Sequence, residues 1–129
     1  MSRKLLDTTV LIDLSRGNTD AADFVDDASG SGTSLYVSVI SAMELIAGCR
    51  DEIEVQRAQK LIASFPLIHL SHVESAAAYD LVVAYNKSHG LSIPDAFIAA
   101  TALTQGLELA TDNDRHFRMI PGLSAARPY

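Results

Sequence analysis

A chain of 129 residues has room for one folded domain and little else, and 48% hydrophobic residues beside 20% charged ones exclude intrinsic disorder. No apolar run approaches the roughly 18–20 residues that cross a bilayer, and Met1-Ser2-Arg3-Lys4 opens no secretory leader, so the expectation is a cytoplasmic protein with no membrane partner. Ten Lys+Arg against sixteen Asp+Glu leave a net charge of −6, the wrong sign for passive attraction to phosphate, so a nucleic-acid partner requires a local basic patch or bound metal ions.

Arg3 to Leu6 reads as a short strand that turns at Asp7-Thr8-Thr9, residue types that cap the following helix Val10–Leu14. A second amphipathic helix is expected over Asp20–Asp27, and the small polar run Ala28–Ser34 reads as a loop. Leu35–Ile40 is a buried strand by its β-branched and aromatic content. Ser41 then caps a short helix over Ala42–Ala47 closed by Gly48, which puts Glu44 in its first turn. The single Cys49 can form no internal disulfide and belongs to no cysteine-rich zinc cluster; it reads as a buried apolar residue.

Apolar residues at helical spacing run from Asp51 to Phe65 and stop at Pro66, ahead of the strand Leu67–Leu70. Ser71 to His89 is the longest helix and ends at Gly90. Ile93-Pro94-Asp95 opens the apolar helix Ala96–Gln105, which Gly106 stops. Leu107–Thr111 is a strand, Asp112-Asn113-Asp114 an acidic turn, and Leu123–Ala126 a final edge strand. Strands alternating with helices define an α/β fold, a single domain over residues 1–129 with a mostly parallel central sheet flanked by helices.

In open α/β sheets ligands gather beyond the carboxyl ends of the strands. Asp7, Glu44, Asp95, Asp112 and Asp114 all fall at inferred strand ends or helix starts, and without those five the sixteen acidic residues become eleven, against ten basic ones. Carboxylates converging on one edge repel unless they are protonated or neutralised by a cation. Mg²⁺ or Mn²⁺ takes such oxygen ligands with water in the open positions, an arrangement that suits phosphodiester hydrolysis. The four histidines, His69, His72, His89 and His116, have no zinc-ligand spacing.

Each acidic residue also has a plainer explanation. Asp7, Glu44 and Asp95 near helix N-termini are what capping and the helix dipole favour, and Asp112 and Asp114 are ordinary turn formers. Asp95 among Ile93, Pro94, Ala96, Phe97 and Ile98 is the hardest to dismiss, because an acidic residue in an apolar surround is rarely left unpaired. Asp13, Asp20, Asp23, Asp26 and Asp27 read as solvated helix-face charges. Thr8 or Thr9 can donate a hydroxyl to a site carboxylate or to phosphate, or cap the first helix. Arg16, Arg50, Arg115 and Arg118 are placed to guide an RNA backbone, with plain solvent exposure as the alternative.

Four motifs in order, Leu5-Leu6-Asp7-Thr8-Thr9-Val10-Leu11-Ile12-Asp13, Ser38-Val39-Ile40-Ser41-Ala42-Met43-Glu44-Leu45-Ile46-Ala47-Gly48, Ile93-Pro94-Asp95-Ala96-Phe97-Ile98-Ala99-Ala100-Thr101-Ala102 and Leu109-Ala110-Thr111-Asp112-Asn113-Asp114-Arg115-His116-Phe117, resemble a PIN-domain ribonuclease of the VapC toxin type over essentially the whole chain. The resemblance implies a Mg²⁺- or Mn²⁺-dependent endoribonuclease that acts on RNA, uses Asp7, Glu44 and Asp95, forms a homodimer and is covered by a cognate antitoxin. The chain departs from the family where Asn113 fills a slot that is often Asp and His116 one that is commonly acidic. The fourth acidic position is then open among Asp114, Asp112 and an Asn113 that holds water through its amide. Two other readings compete: a catalytically silent interaction module on the same fold, and a phosphate-accepting receiver. The receiver would want paired carboxylates after the first strand and a late Lys, whereas Thr8 follows Asp7 and no Lys follows Lys87.

Overall fold

The computed structural model describes residues 2–129; Met1, where the expected domain begins, lies outside the described residues. In chain order the elements are β1 (Arg3–Leu6), α1 (Thr8–Ser15), α2 (Thr19–Gly30), β2 (Ser34–Ser38), α3 (Val39–Ala47), α4 (Glu52–Ile62), β3 (Leu67–Ile68), α5 (His72–His89), α6 (Ile93–Gln105), β4 (Glu108–Ala110), a 3₁₀ turn (Asp114–Phe117) and β5 (Ala125–Ala126). All five strands pair in parallel, in the order β3-β2-β1-β4-β5. A receiver-type doubly wound sheet runs 2-1-3-4-5, so this order excludes the receiver reading.

Successive strand side chains point to opposite faces, and in this sheet both faces are buried. Leu5 and Leu109 enter one core with α5, α6, Phe117 and Ile120. Leu6, Val37 and Ala110 enter a second core with Val10 and Leu11 of α1, Ala42 and Leu45 of α3, and Ala58 of α4. Parallel strands covered on both sides carry consecutive apolar residues, and Leu5-Leu6, Leu35-Tyr36-Val37 and Leu109-Ala110 make β1, β2 and β4 recognisable in the sequence. No helix is long and apolar enough to cross a membrane among the described residues.

Each α-helix among the described residues starts behind a residue whose side-chain oxygen accepts a backbone N–H: Asp7, Asn18, Ser38, Asp51, Ser71 and Ser92. Helices α5 and α6 end at Gly90 and Gly106, whose φ of +72° and +67° is the left-handed conformation that glycine adopts without steric cost.

Several boundaries differ from the sequence expectation. Helix α2 runs on through Ala28–Gly30, because Ala28 is buried in the second core and its burial outweighs the weak helix propensity of the glycine. Strand β2 stops at Ser38, whose Oγ accepts from Ile40 N at 3.1 Å. The cap of α3 is therefore Ser38 and not Ser41, and Val39 and Ile40 are helical. Glu44 consequently lies in the second turn of α3, beyond the free N–H groups that would have explained it as a capping residue. The strand expected over Leu67–Leu70 is confined to Leu67–Ile68, and the final one to Ala125–Ala126. Cys49 is only half-buried.

Candidate metal and nuclease site

The connections from β1 lead to β2 and β3 on one side, while β4 and β5 lie on the other. The crevice beyond the carboxyl ends of β1 and β4 is thus the topological switch point of the sheet, the place where such folds bind ligands. Asp7 stands there. Its N–H continues the β1–β4 ladder by donating to the Ala110 carbonyl at 2.9 Å, and its side chain, 3% exposed, caps α1.

Three donors hold that carboxylate. Thr8 N donates to Oδ1 at 2.8 Å, Thr111 Oγ1 to Oδ2 at 2.6 Å, and Thr9 Oγ1 to Oδ2 at a longer 3.4 Å. Burial nevertheless prevails, and Asp7 is raised above the ordinary 3.8, against the lowering influence of Thr111 first, then Thr8, Thr9 and the charge of His116. The same threonines fix the acidic turn after β4: Asn113 N donates to Thr111 Oγ1 at 3.0 Å and Asp112 N to Thr9 Oγ1 at 3.2 Å. Two β-branched hydroxyl residues therefore lock β1, α1 and the turn together around one carboxylate.

Asp95 comes from the first turn of α6, where its N–H donates to Ser92 Oγ at 3.2 Å. It too is raised, by burial first and then by the negative charge of Asp7. Ser92 opposes this, Glu44 adds to it, and His116 opposes it again. Glu44 projects from α3 and is exposed; its Oε1 accepts from Thr8 Oγ1 at 2.7 Å, and Thr8 Oγ1 also lies 3.0 Å from Ser41 Oγ. The structure thus brings Asp7, Asp95 and Glu44 from three elements within electrostatic reach of one another, with Thr8 as the tether of Glu44.

The acidic turn divides. Asp114 lies on the 3₁₀ turn and pairs with Arg118 at 3.5 Å. Asn113 is exposed. Asp112 faces Asp13, which is half-buried and therefore not the solvated charge expected from its place on α1. Asp112 Oδ1 is buried without a partner, and the neighbouring carboxyl can donate to it only by sharing a proton. Burial first, and Asp13 second, push Asp112 up, while Arg127 pulls it down and Asp7 raises it further. Tyr129 OH donates to Asp13 Oδ2 at 2.5 Å, and its own ionisation is pushed far up by burial and by that carboxylate.

Sequence reasoning passed over Thr111, which is fully buried; the signal was a hydroxyl residue closing an otherwise apolar strand. It used Ser41 as a cap, whereas Ser41 lies buried inside α3 beside Thr8. His116 stood out only as a departure from a motif, yet its charge acts on both Asp7 and Asp95. Arg16 and Arg50, with Arg57, line a groove of about 790 Å³ between α1, α3 and α4 that reaches Glu44, while Arg115 lines a separate small cavity beside Asp95.

A sheet of this order, with carboxylates at its switch point, defines the class, and the chain belongs to the PIN domain family: the family's model matches residues 4–123. Among curated proteins it is 39% identical over 120 residues to Ribonuclease VapC10 of Mycobacterium tuberculosis, covering 92% of this chain and 89% of that one. It is 32% identical over 121 residues to Ribonuclease VapC19 of the same organism, covering 93% and 96%. Among solved structures it matches a toxin–antitoxin complex from Klebsiella pneumoniae with a TM-score of 0.75, 32% identity and 98% coverage of both chains.

Proposed function

We propose that the protein is a Mg²⁺- or Mn²⁺-dependent endoribonuclease and the toxin of a toxin–antitoxin pair. The observation that carries this reading is the convergence of Asp7, Asp95 and Glu44 at the β1–β4 switch point, where Asp7 and Asp95 are both held toward their neutral forms. The relatives named ribonucleases and the toxin–antitoxin complex support RNA as the substrate class and an antitoxin as the partner. The homodimer belongs to the same proposal, and exposed Met43, Tyr79, Val83 and Ile93 supply apolar surface for protein contacts.

The residues fit a hard cation in a sparse, water-rich manner. Among the described residues no three His, Cys, Asp or Glu side chains form a ready-made chelating group, but Mg²⁺ commonly takes only one or two carboxylates and keeps several waters. A carboxylate offers about four acceptor positions. Asp7 uses three of them on Thr8, Thr9 and Thr111, leaving one for an ion that Asp95 would share and Glu44 would approach. When bound, the cation neutralises the attacked phosphate and makes a water more acidic.

The chain's own residues supply the rest. Thr111 and Thr8 N fix the plane of the Asp7 carboxylate, so that its free position faces the crevice. Glu44, tethered at Oε1 by Thr8, accepts at its other oxygen the proton of the attacking water. The bond from that water to phosphorus forms as the bond from phosphorus to the leaving ribose oxygen breaks. Asp112 lies beside Asp13 and Asp114 pairs with Arg118; of the acidic turn, Asp114 is the member proposed to act on substrate, by accepting from a ribose hydroxyl once the phosphate draws Arg118 away.

The reading is tested by cleavage of a mixed RNA pool with Mg²⁺, with Mn²⁺ and with EDTA, for the native protein and for Asp95→Asn. Cleavage that needs the ion and falls by about 10²-fold or more in the variant is the expected result. Equal cleavage in EDTA removes the metal role. No cleavage under any condition, with binding of the antitoxin retained, favours the silent interaction module.

A further inference from the structure

Beside Asp95, on the side away from α1 and α3, the C-terminus of α5, the start of α6 and the 3₁₀ turn enclose a cavity of about 170 Å³ lined by His89, Leu91, Asp95, Arg115, His116 and Met119. A water's share of liquid volume is about 30 Å³, so the space has room for a phosphate group and part of the ribose beside it. In a chain of net charge −6, three of the four titratable side chains around this cavity are basic types. Arg115 forms no ion pair among the described residues, because the adjacent Asp114 is taken by Arg118. His89 ends α5, where the helix dipole favours a cation, and its Nδ1 shares a hydrogen bond of 2.8 Å with Ser88 Oγ, which steadies the ring. His116 and Asp95 line the cavity together, so it adjoins the carboxylates.

We infer that this cavity is a phosphate-binding subsite for the RNA strand, seating a phosphodiester next to the one that is cut. The inference rests on the nuclease reading for the strand's identity. The Arg115 guanidinium presents a fork that matches phosphate oxygens, while each imidazole contributes an N–H donor whatever its charge. Leu91 and Met119 provide the apolar wall against which a ribose can lie. The carboxylate of Asp95 marks the boundary with the reacting centre and sets the direction of the strand, from this cavity across Asp95 and Asp7 toward Glu44.

Two titrations in EDTA, which withholds the ion that cleavage is proposed to need, test the subsite independently of catalysis. Inorganic phosphate is added at constant ionic strength while the histidine ring C–H signals are followed by NMR. Separately, a short labelled oligoribonucleotide is bound over a range of salt concentrations. For the native protein and a Lys87→Ala control, the His89 and His116 signals move together and saturate. For Arg115→Ala that movement requires at least tenfold more phosphate, oligoribonucleotide binding weakens by about tenfold, and the log–log salt slope falls by about one phosphate contact's worth, roughly 0.7 for a single strand. Phosphate-induced shifts that never saturate, or that are unchanged in Arg115→Ala, overturn the subsite. Saturable phosphate binding with an unchanged oligoribonucleotide affinity also overturns it, by showing a site for free phosphate and not for the strand. Failure of the cleavage assay leaves both titrations readable, so the two proposals fall separately.

Discussion

Two carboxylates of this protein are almost equally hidden from solvent and behave in opposite ways. Glu74 in α5 is 2% exposed and Asp7 is 3% exposed. Glu74 accepts from Ser71 Oγ and from Gln105 Nε2, the latter at 2.8 Å, and these bonds, Ser71 first, hold it below its ordinary 4.5 in spite of burial. Ser71-His72-Val73-Glu74 has the sequence of a capping box, with Ser71 Oγ accepting from Val73 N, and Gln105 ties Glu74 to the end of α6. Asp7 has three donors of its own, yet burial pushes it up. Glu74 lies just beneath the surface, Asp7 deep at the sheet edge, with Asp95 and Glu44 converging on the same crevice and no Lys or Arg ion-paired to it among the described residues. A hydrogen-bonded charge near the surface stabilises a fold; a deep one facing other carboxylates costs stability until a cation arrives.

The sharpest way to break the contrast is Asp7→Asn. The amide keeps the α1 cap and can donate toward Thr111, so the fold persists, while RNA cleavage falls by about 10²–10³-fold. The metal-free variant should melt a few degrees above the native protein at pH 7. The sign follows from the raised value: a carboxyl that holds its proton more tightly when folded contributes stability below the unfolded 3.8, and that contribution is lost as pH rises through the folded value. The melting difference should therefore vanish on acidification into the carboxylate range. Mn²⁺ should raise the melting temperature of the native protein and leave the variant unmoved, as binding linkage requires. A variant less stable than native at pH 7 without metal would contradict this account.

Glu74→Ala should do the reverse. It removes the acceptor shared by Ser71 and Gln105, which are exposed and can turn to water, so the cost is about 1–2 kcal/mol in denaturant unfolding at pH 7, with little change in cleavage per folded molecule. Because Glu74 is lowered, its stabilisation is full above the unfolded 4.5 and lost as pH falls through the folded value. Acid unfolding of the native protein should then show two opposed contributions in neighbouring pH windows, and Glu74→Ala should remove the destabilising one. An unchanged acid limb would show that Glu74 does not carry it.

The sequence reveals whatever rests on local patterning. β-Branched and aromatic residues locate β2 and short apolar pairs locate β1 and β4, and Asp7 at the end of β1 is a switch-point acid on chain order alone. What it hides is settled by pairs remote in sequence. Whether Ser38 or Ser41 caps α3 depends on where β2 leaves the sheet, since Val39 and Ile40 suit strand and helix alike, and that choice decides whether Glu44 is a capping residue or a site residue. Asp13 looks solvated on α1 until Tyr129, 116 positions away, donates to it. Thr111 meets Asp7 across 104 positions, a contact that no window of sequence contains.

Thr111→Val tests that last contact and is the finest refinement of the comparison between the two carboxylates. Valine keeps the volume and the β-branched strand preference but removes both the donor to Asp7 Oδ2 and the acceptor of Asn113 N. Losing the donor drives Asp7 still further toward its neutral form, since Thr111 is the foremost influence that lowers it. The expected cost is about 1 kcal/mol at pH 7, smaller than a charged hydrogen bond alone would give because burying a methyl group offsets part of it. In an Asp7→Asn background the cost should shrink, since a bond to a neutral partner is about half as strong as one to a carboxylate. A double-mutant cycle by denaturant unfolding reads that difference directly. Equal costs in the two backgrounds would mean that Thr111 holds the turn through Asn113 and contributes nothing to the charge of Asp7.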